Sequence, residues 1–385
     1  MTDPFADESA DGEVVKLSGE RKRKLRRMGM QADPRHQPTA RSVEEMLEVL
    51  SELGVRMLWN SADETWMVAH DGEPEFDYCD DFTLDKLVVD SRQMEMQLPS
   101  WRQSTGGSHT WDAFKHDHQW SPTRQYLAGL DAELNPEYDT KNLLDDCWPG
   151  LLSDDAADRR MRRWWAWAMM LAVVAKNTLP ARQSPLFDFM GVLVSQQKGI
   201  GKGSFVGSLL EPGKGHSEQV EGTPVLRDTE ASARFFPKLV GRSVVEIEEV
   251  SVADDEHRGL RAYVSKSSLR IRRLGSSHYR MVMKSWIDIG TTNLTHFLPY
   301  DSNGERRIVP IVIGSPADGS HFGGYSVVEH LGEHRDGYWR YALAAYERRI
   351  EANDGVFDPR WLQPPPDIQQ HIIAASHFHM RTPEV

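Results

Sequence analysis

Hydrophobic positions along the chain fall into patterns that predict its elements in order. From Val43 the apolar residues Met46, Leu47, Leu50 and Leu53 recur at helical spacing, and Arg41-Ser42 ahead of Glu44 and Glu45 supplies a start signal, which predicts a helix of about three turns. Arg56-Met57-Leu58-Trp59 and Thr65-Trp66-Met67-Val68 then flank the polar stretch Asn60 to Glu64 and predict a hairpin. Together they predict a small α+β domain over residues 41–110, closed by a Gly-, Ser- and Thr-rich exit linker from Gln97 to Trp111. Residues 111–185 are helical by periodicity, ending in a Trp-rich helix from Arg159 to Lys176. In residues 186–320 the apolar run Phe189 to Val194 predicts a strand, followed by a glycine-rich turn and a helix from Lys202 to Leu210. Residues 321–385 complete the chain as a helical segment, and residues 1–40 form a flexible basic arm.

Length and composition narrow the class. At 385 residues the chain has room for two or three domains. With 39% hydrophobic and 27% charged residues it reads as globular rather than disordered. Its two cysteines exclude a disulfide framework or a CxxC metal site and point to a reducing compartment. An acidic start where an export signal would be basic and then apolar predicts a cytoplasmic protein of a bacterial or phage-infected cell. No membrane partner is expected, since the most apolar stretch, Trp164 to Ala175, is shorter than the ~20 residues a span requires. A net charge of −13 confines any nucleic-acid contact to local basic patches. One patch is Arg21 to Arg27, which suits either a solvated tail or transient contact with nucleic acid.

The strongest chemical signal is Lys198-Gly199-Ile200-Gly201-Lys202-Gly203-Ser204, between a predicted strand and a predicted helix. Glycines there let backbone N–H groups turn around a phosphate, and Lys202 reaches the outer phosphates, so ATP is the expected ligand. Two positions depart from the usual P-loop: Gln196 replaces the first glycine and Gly203 the hydroxyl residue after the lysine. Ser204 is then the candidate hydroxyl for Mg²⁺, one position late. Val244 to Glu249 is an apolar strand ending in carboxylates, of which Glu246, Glu248 and Glu249 are candidates to hold the magnesium, Glu249 foremost, or to polarise the attacking water. Farther on, Trp286 to Gly290 forms a short strand ending in Thr291-Thr292-Asn293, where an amide can sense the γ-phosphate. Arg306 and Arg307 follow as candidates to neutralise charge on the transferred phosphoryl group. Between the acids and the sensor, Leu269 to Lys284 reads as a basic hairpin. Its Arg272, Arg273, His278, Tyr279, Arg280 and Lys284 combine phosphate contacts with a stacking surface.

Taken in order, YLAGL, KGIGKGSF, VVEIEE, GTTN and GERRIVP resemble the virulence-associated protein E family of phage and mobile-element proteins, over about Pro122 to Met380. The resemblance implies an α/β P-loop NTPase of the AAA+-like superfamily 3 helicase type, with an N-terminal helical collar and the small α+β domain before it. It further implies Lys202 in phosphate binding, Glu246 and Glu249 as Walker B acids, Asn293 as sensor and Arg307 as a finger; the residues themselves leave Glu248 as a competing base. Glu305 stands where the family commonly has Asn. The expected function is an ATP- and Mg²⁺-dependent replicative DNA helicase acting on single-stranded or forked DNA as a homo-oligomeric ring, a hexamer first, with a separate primase as a further partner. A non-hydrolysing, nucleotide-dependent DNA-binding or assembly protein is the alternative. A small-molecule kinase, suggested by the GKGS loop, lacks an arginine-rich lid.

Overall fold

The computed structural model describes residues 40, 42–60, 65–72, 77–79, 81–92, 94, 96–99, 110–111, 119–179, 183–212, 216–221, 236, 238–251, 257–272, 279–301, 304–314 and 325–381. The chain divides into two compact units, Met1–Trp120 and Ser121–Val385. The flexible arm expected over residues 1–40 lies, apart from Ala40, outside the described residues.

The first unit opens with helix α1 (Val43–Glu52), whose start is set by Ser42: its hydroxyl accepts the Glu45 N–H at 3.2 Å. Met46, Val49 and Leu50 form its buried face. Strands β1 (Val55–Asn60) and β2 (Thr65–His70) pair antiparallel with Asn60 opposite Thr65, as the alternation predicts. Strand β3 (Asp77–Cys79), helix α2 (Asp81–Ser91) and strand β4 (Gln119–Trp120) complete a sheet of order β3-β2-β1-β4. The segment Gln97 to Trp111, expected as a linker, departs from that expectation at both ends. Leu98 and Trp111 are buried in this unit's core, and the Trp111 indole donates to the Pro99 carbonyl at 2.8 Å and packs edge-on to Trp66.

The second unit is a mixed α/β fold around a central parallel sheet. Helices α3 (Pro122–Ala128), α4 (Leu143–Cys147) and α5 (Ala156–Thr178) come first. Asp155 starts α5 by accepting the Ala157 and Asp158 N–H groups, and the helix is almost wholly buried from Trp164 to Asn177. Then follow β5 (Met190–Val194), α6 (Lys202–Ser208), β6 (Ser217–Glu221), β7 (Val244–Glu248) and α7 (His257–Val264). Strands β8 (Ser268–Arg272) and β9 (Tyr279–Met283) form the expected antiparallel hairpin. Strands β10 (Ile287–Thr292) and β11 (Ile308–Val312) precede helices α8 (Tyr325–Ala352) and α9 (Pro366–Phe378).

The sheet order is β11-β5-β10-β7-β6, every neighbouring pair parallel. Apolar runs such as MGVLV are buried along their whole length, as strands covered on both faces must be. Alternate residues supply two cores. Leu193, Val244, Ile289 and Ile311 face α5, α6 and α8, whereas Val192, Val245 and Ile247 meet Leu239, Leu260 and Tyr263. Among the described residues, no helix is long and apolar enough to cross a membrane.

Candidate functional site

Because the five strands run parallel, their carboxyl ends share one edge of the sheet, where the chain reverses direction across the strand order and a crevice opens. Three of these ends meet there. β5 leads into the glycine loop, β7 ends in Glu246 to Glu249, and β10, hydrogen-bonded between them, ends in Thr291 to Asn293. Gly201 has φ +84°, a left-handed backbone that lets the loop turn abruptly into α6 and that side chains resist.

The side chains converge. Lys202 is 9% exposed, and its ammonium donates to Asn293 Oδ1 at 2.8 Å and to the Ser195 carbonyl at 3.3 Å. Burial lowers its pKa, against which the charge of Glu246 acts. Glu246 is 4% exposed; its Oε1 accepts the Thr291 hydroxyl at 3.1 Å and its Oε2 the Gln219 amide at 3.1 Å. The same Gln219 amide donates to Glu248 Oε1 at 2.6 Å. Burial raises Glu246 to about 7, with the Glu248 charge adding to the rise and the bonds from Thr291 and Gln219 opposing it. Glu249 is exposed and sits at φ +49°, a left-handed conformation that costs a non-glycine residue of order 1 kcal/mol or more and is met most often at functional sites.

These groups line a cleft of about 810 Å³, large enough for a nucleotide. The whole predicted loop, Lys198, Gly199, Ile200, Gly201, Lys202, Gly203 and Ser204, borders it, as do Glu246, Glu248, Glu249 and Asn293. Gln219 and Thr291 border it too. Gln219 escaped the sequence reading because its strand, SEQVE, shows no strong apolar pattern. Thr291 was visible only as part of a motif. The departure at Gly203 has a steric cause: a Cβ at that position would lie 2.9 Å from Glu246 Oε1, so the acid occupies the space a serine or threonine side chain would need. Ser204, Glu246, Glu248 and Glu249 all border the cleft, and oxygen groups of this kind suit a hard cation such as Mg²⁺.

The arginines lie elsewhere. The Arg307 carbonyl accepts the Met190 N–H at 2.8 Å, which sets Arg307 beside the first residue of β5 at the opposite edge of the sheet. Its guanidinium pairs with Asp188 at 3.2 Å, while Arg306 is exposed. Glu305 is buried and ion-paired with Arg261, and its Oε1 accepts the Arg307 N–H at 2.8 Å.

In the hairpin, Arg272 stands opposite Tyr279 and Ile271 opposite Arg280, the pairs farthest from the sheet among the described residues. Arg273 and His278 lie outside the described residues. Lys284 corrects an expectation. Instead of reaching a nucleic acid, its side chain is 1% exposed and its ammonium lies 2.5 Å from Asp288 Oδ2, because it begins the connection that dives into β10. Tyr263 donates to Asp288 Oδ1 at 2.7 Å, and Lys176 of α5 donates to the Lys284 carbonyl at 2.7 Å.

The model of the virulence-associated protein E-like domain matches residues 132–365, more than half of the chain. The chain belongs to the virulence-associated protein E-like family. This bears out the resemblance carried by the five ordered motifs. Solved structures of the NrS-1 C-terminal region (305–718) are similar at lower level. One apo structure shows 14% identity and a TM-score of 0.49 over 88% of this chain and 76% of that one. Its A form shows 14% identity and a TM-score of 0.48 over 88% and 75%. At TM-scores below 0.5 these likenesses carry no weight for function. A search of the curated proteins found no match.

Proposed function

We propose that this family member is a P-loop ATPase that serves as the motor of a replicative DNA helicase in a phage or mobile element. The observation that carries the reading is the convergence, from three adjacent parallel strands, of one buried lysine, one amide and a set of carboxylates on a single nucleotide-sized cleft. Lys202 would exchange Asn293 and the Ser195 carbonyl for the outer phosphates. Asn293, released, would turn to the γ-phosphate or the attacking water. Glu248, already accepting from Gln219 and less deeply buried than Glu246, is the better placed acid to orient and deprotonate that water. Glu246, protonated for much of the time near pH 7 while the cleft is empty, would give up that proton to serve as a magnesium ligand rather than as the base. Ser204, Glu246 and Glu249 would hold Mg²⁺, which neutralises charge on the phosphates.

The basic hairpin β8–β9 supports a single-stranded DNA partner, and the position of the arginines supports a ring of copies. Arg306 and Arg307 are separated from the Lys202 edge by the length of β5, about 15 Å for five residues, so either could complete only a neighbour's site. A second reading, a nucleotide-dependent DNA-binding protein that does not hydrolyse, is favoured by Gly203, which removes a hydroxyl from the loop. DNA-stimulated phosphate release separates the two. Wild-type turnover that rises with single-stranded DNA and vanishes in Lys202→Ala is expected; tight ATP binding without turnover would establish the second reading, and no ATP binding would remove both.

A further inference from the structure

Behind the glycine loop, on the side away from the cleft, lies Trp148, the residue after α4. It is fully buried, does not border the cleft, and packs on Phe205 of α6 with ring centroids 5.1 Å apart. A buried indole N–H needs an acceptor. That of Trp148 donates to the Ile200 carbonyl at 2.8 Å.

In a trans peptide the carbonyl of one residue and the N–H of the next point in opposite directions, and no described bond in this chain is cis. Fixing the Ile200 carbonyl toward Trp148 therefore turns the Gly201 N–H away from Trp148, toward the cleft that Gly201 borders. The other side of Gly201 is fixed as well, because its carbonyl accepts the Phe205 N–H at 2.8 Å. No acceptor among the described residues takes the Gly201 N–H itself. We infer that Trp148 is a positioning residue for the phosphate cradle: its indole N–H holds the Ile200–Gly201 peptide so that the Gly201 amide presents its hydrogen to a phosphate oxygen of the bound nucleotide. The inference rests on the cleft being a nucleotide site.

A positioned donor is lost without loss of the fold if only the N–H is removed. Replacing Trp148 by benzothienylalanine keeps the bicyclic shape and substitutes sulfur for the N–H, while Trp148→Phe is the simpler variant and leaves a small cavity. Affinity for MgATP and MgADP, measured by titration calorimetry, should fall about tenfold in both, the scale of one hydrogen bond left unmade to a loop that is then free to turn. KM for ATP should rise in parallel and kcat stay within about threefold. Trp339→Phe is the control, since the Trp339 indole donates to the Leu209 carbonyl just past the other end of α6 at 2.6 Å. It should lower the melting temperature and leave nucleotide affinity within about twofold. Unchanged affinity in the benzothienylalanine variant, or an equal loss in Trp339→Phe, would overturn the role. If the wild-type protein itself binds neither nucleotide, the reading of the cleft falls first and this inference with it.

Discussion

Replacing Glu246 by Gln should stabilise the nucleotide-free protein while removing its activity. The side chain is 4% exposed, and its carboxylate has hydrogen-bond donors in Thr291 and Gln219, but burial still lifts its pKa from 4.5 to about 7. The folded protein thus holds a proton that the unfolded chain gives up, and stability contributed by the protonated acid is lost as pH rises through the interval from 4.5 to 7. A rise from 4.5 to about 7 corresponds to roughly 3 kcal/mol of destabilisation at pH 7–8, and to under about 1 kcal/mol at pH 5. A neutral amide of the same shape escapes this cost. Its oxygen can keep the Gln219 donor, and its NH₂ can donate to the Thr291 hydroxyl oxygen, which leaves the bond from Gln219 to Glu248 in place. For a unit of this size the gain is roughly 5–10 °C in melting temperature. The assay is a set of thermal melts of wild type and Glu246→Gln at pH 5, 7 and 8 without nucleotide or Mg²⁺. The gap should be widest at pH 8 and nearly closed at pH 5. Equal melting temperatures at pH 8, or a gap that does not shrink with acid, would refute the account of Glu246 as a buried, costly acid.

Three further outcomes follow from the same geometry. Gly203→Ala should cut ATP turnover strongly while moving the melting temperature by only a few degrees, because the new Cβ displaces the far end of Glu246 rather than backbone; near-normal turnover would show that the contact is unimportant. Lys284→Ala should destabilise by about 3–5 kcal/mol in urea unfolding, leaving Asp288 buried without its cation, whereas Arg272, Arg273 and Arg280 changed together to Ala should keep the stability and reduce the log–log salt slope of single-strand binding by about 0.7 per lost phosphate contact. Neither Arg306→Ala nor Lys202→Ala should hydrolyse ATP alone, yet subunits of the two mixed under exchange should regain activity; a mixture as inactive as its parts excludes Arg306, and the same test with Arg307→Ala then decides whether its pairing with Asp188 is only structural.

Much of the site could be read from the chain because its signals are local. The glycines of the loop, the acids closing an apolar strand and the amide after the next strand each occupy a few consecutive residues, and the parallel sheet brings them together. Features set by distant partners were not legible. Lys284 looks like one more cation at the end of a basic strand, and only the fold shows Asp288, Tyr263 and Lys176 closing around it. Gln219 sits on an edge strand whose polar sequence resembles a loop. Trp111 ends a stretch whose composition reads as linker, and it packs on Trp66 of strand β2. Gly203 could be seen as a departure from a motif, but its cause, the carboxylate of Glu246, lies on a different element.

Strand β10 spans only six residues, yet it has two masters. At one end Asp288 is clamped to the base of the hairpin; at the other, Thr291 holds the buried acid Glu246 and Asn293 accepts from Lys202. Paired to parallel neighbours on both sides, the strand ties the position of one end to that of the other. Under the proposed function, a tug on the hairpin by single-stranded DNA would be felt as a shift of Asn293 against Lys202, and the departure of a γ-phosphate would be felt at Asp288. In that reading the strand would be a pushrod about 20 Å long, by its rise per residue, carrying motion between the cleft and the hairpin.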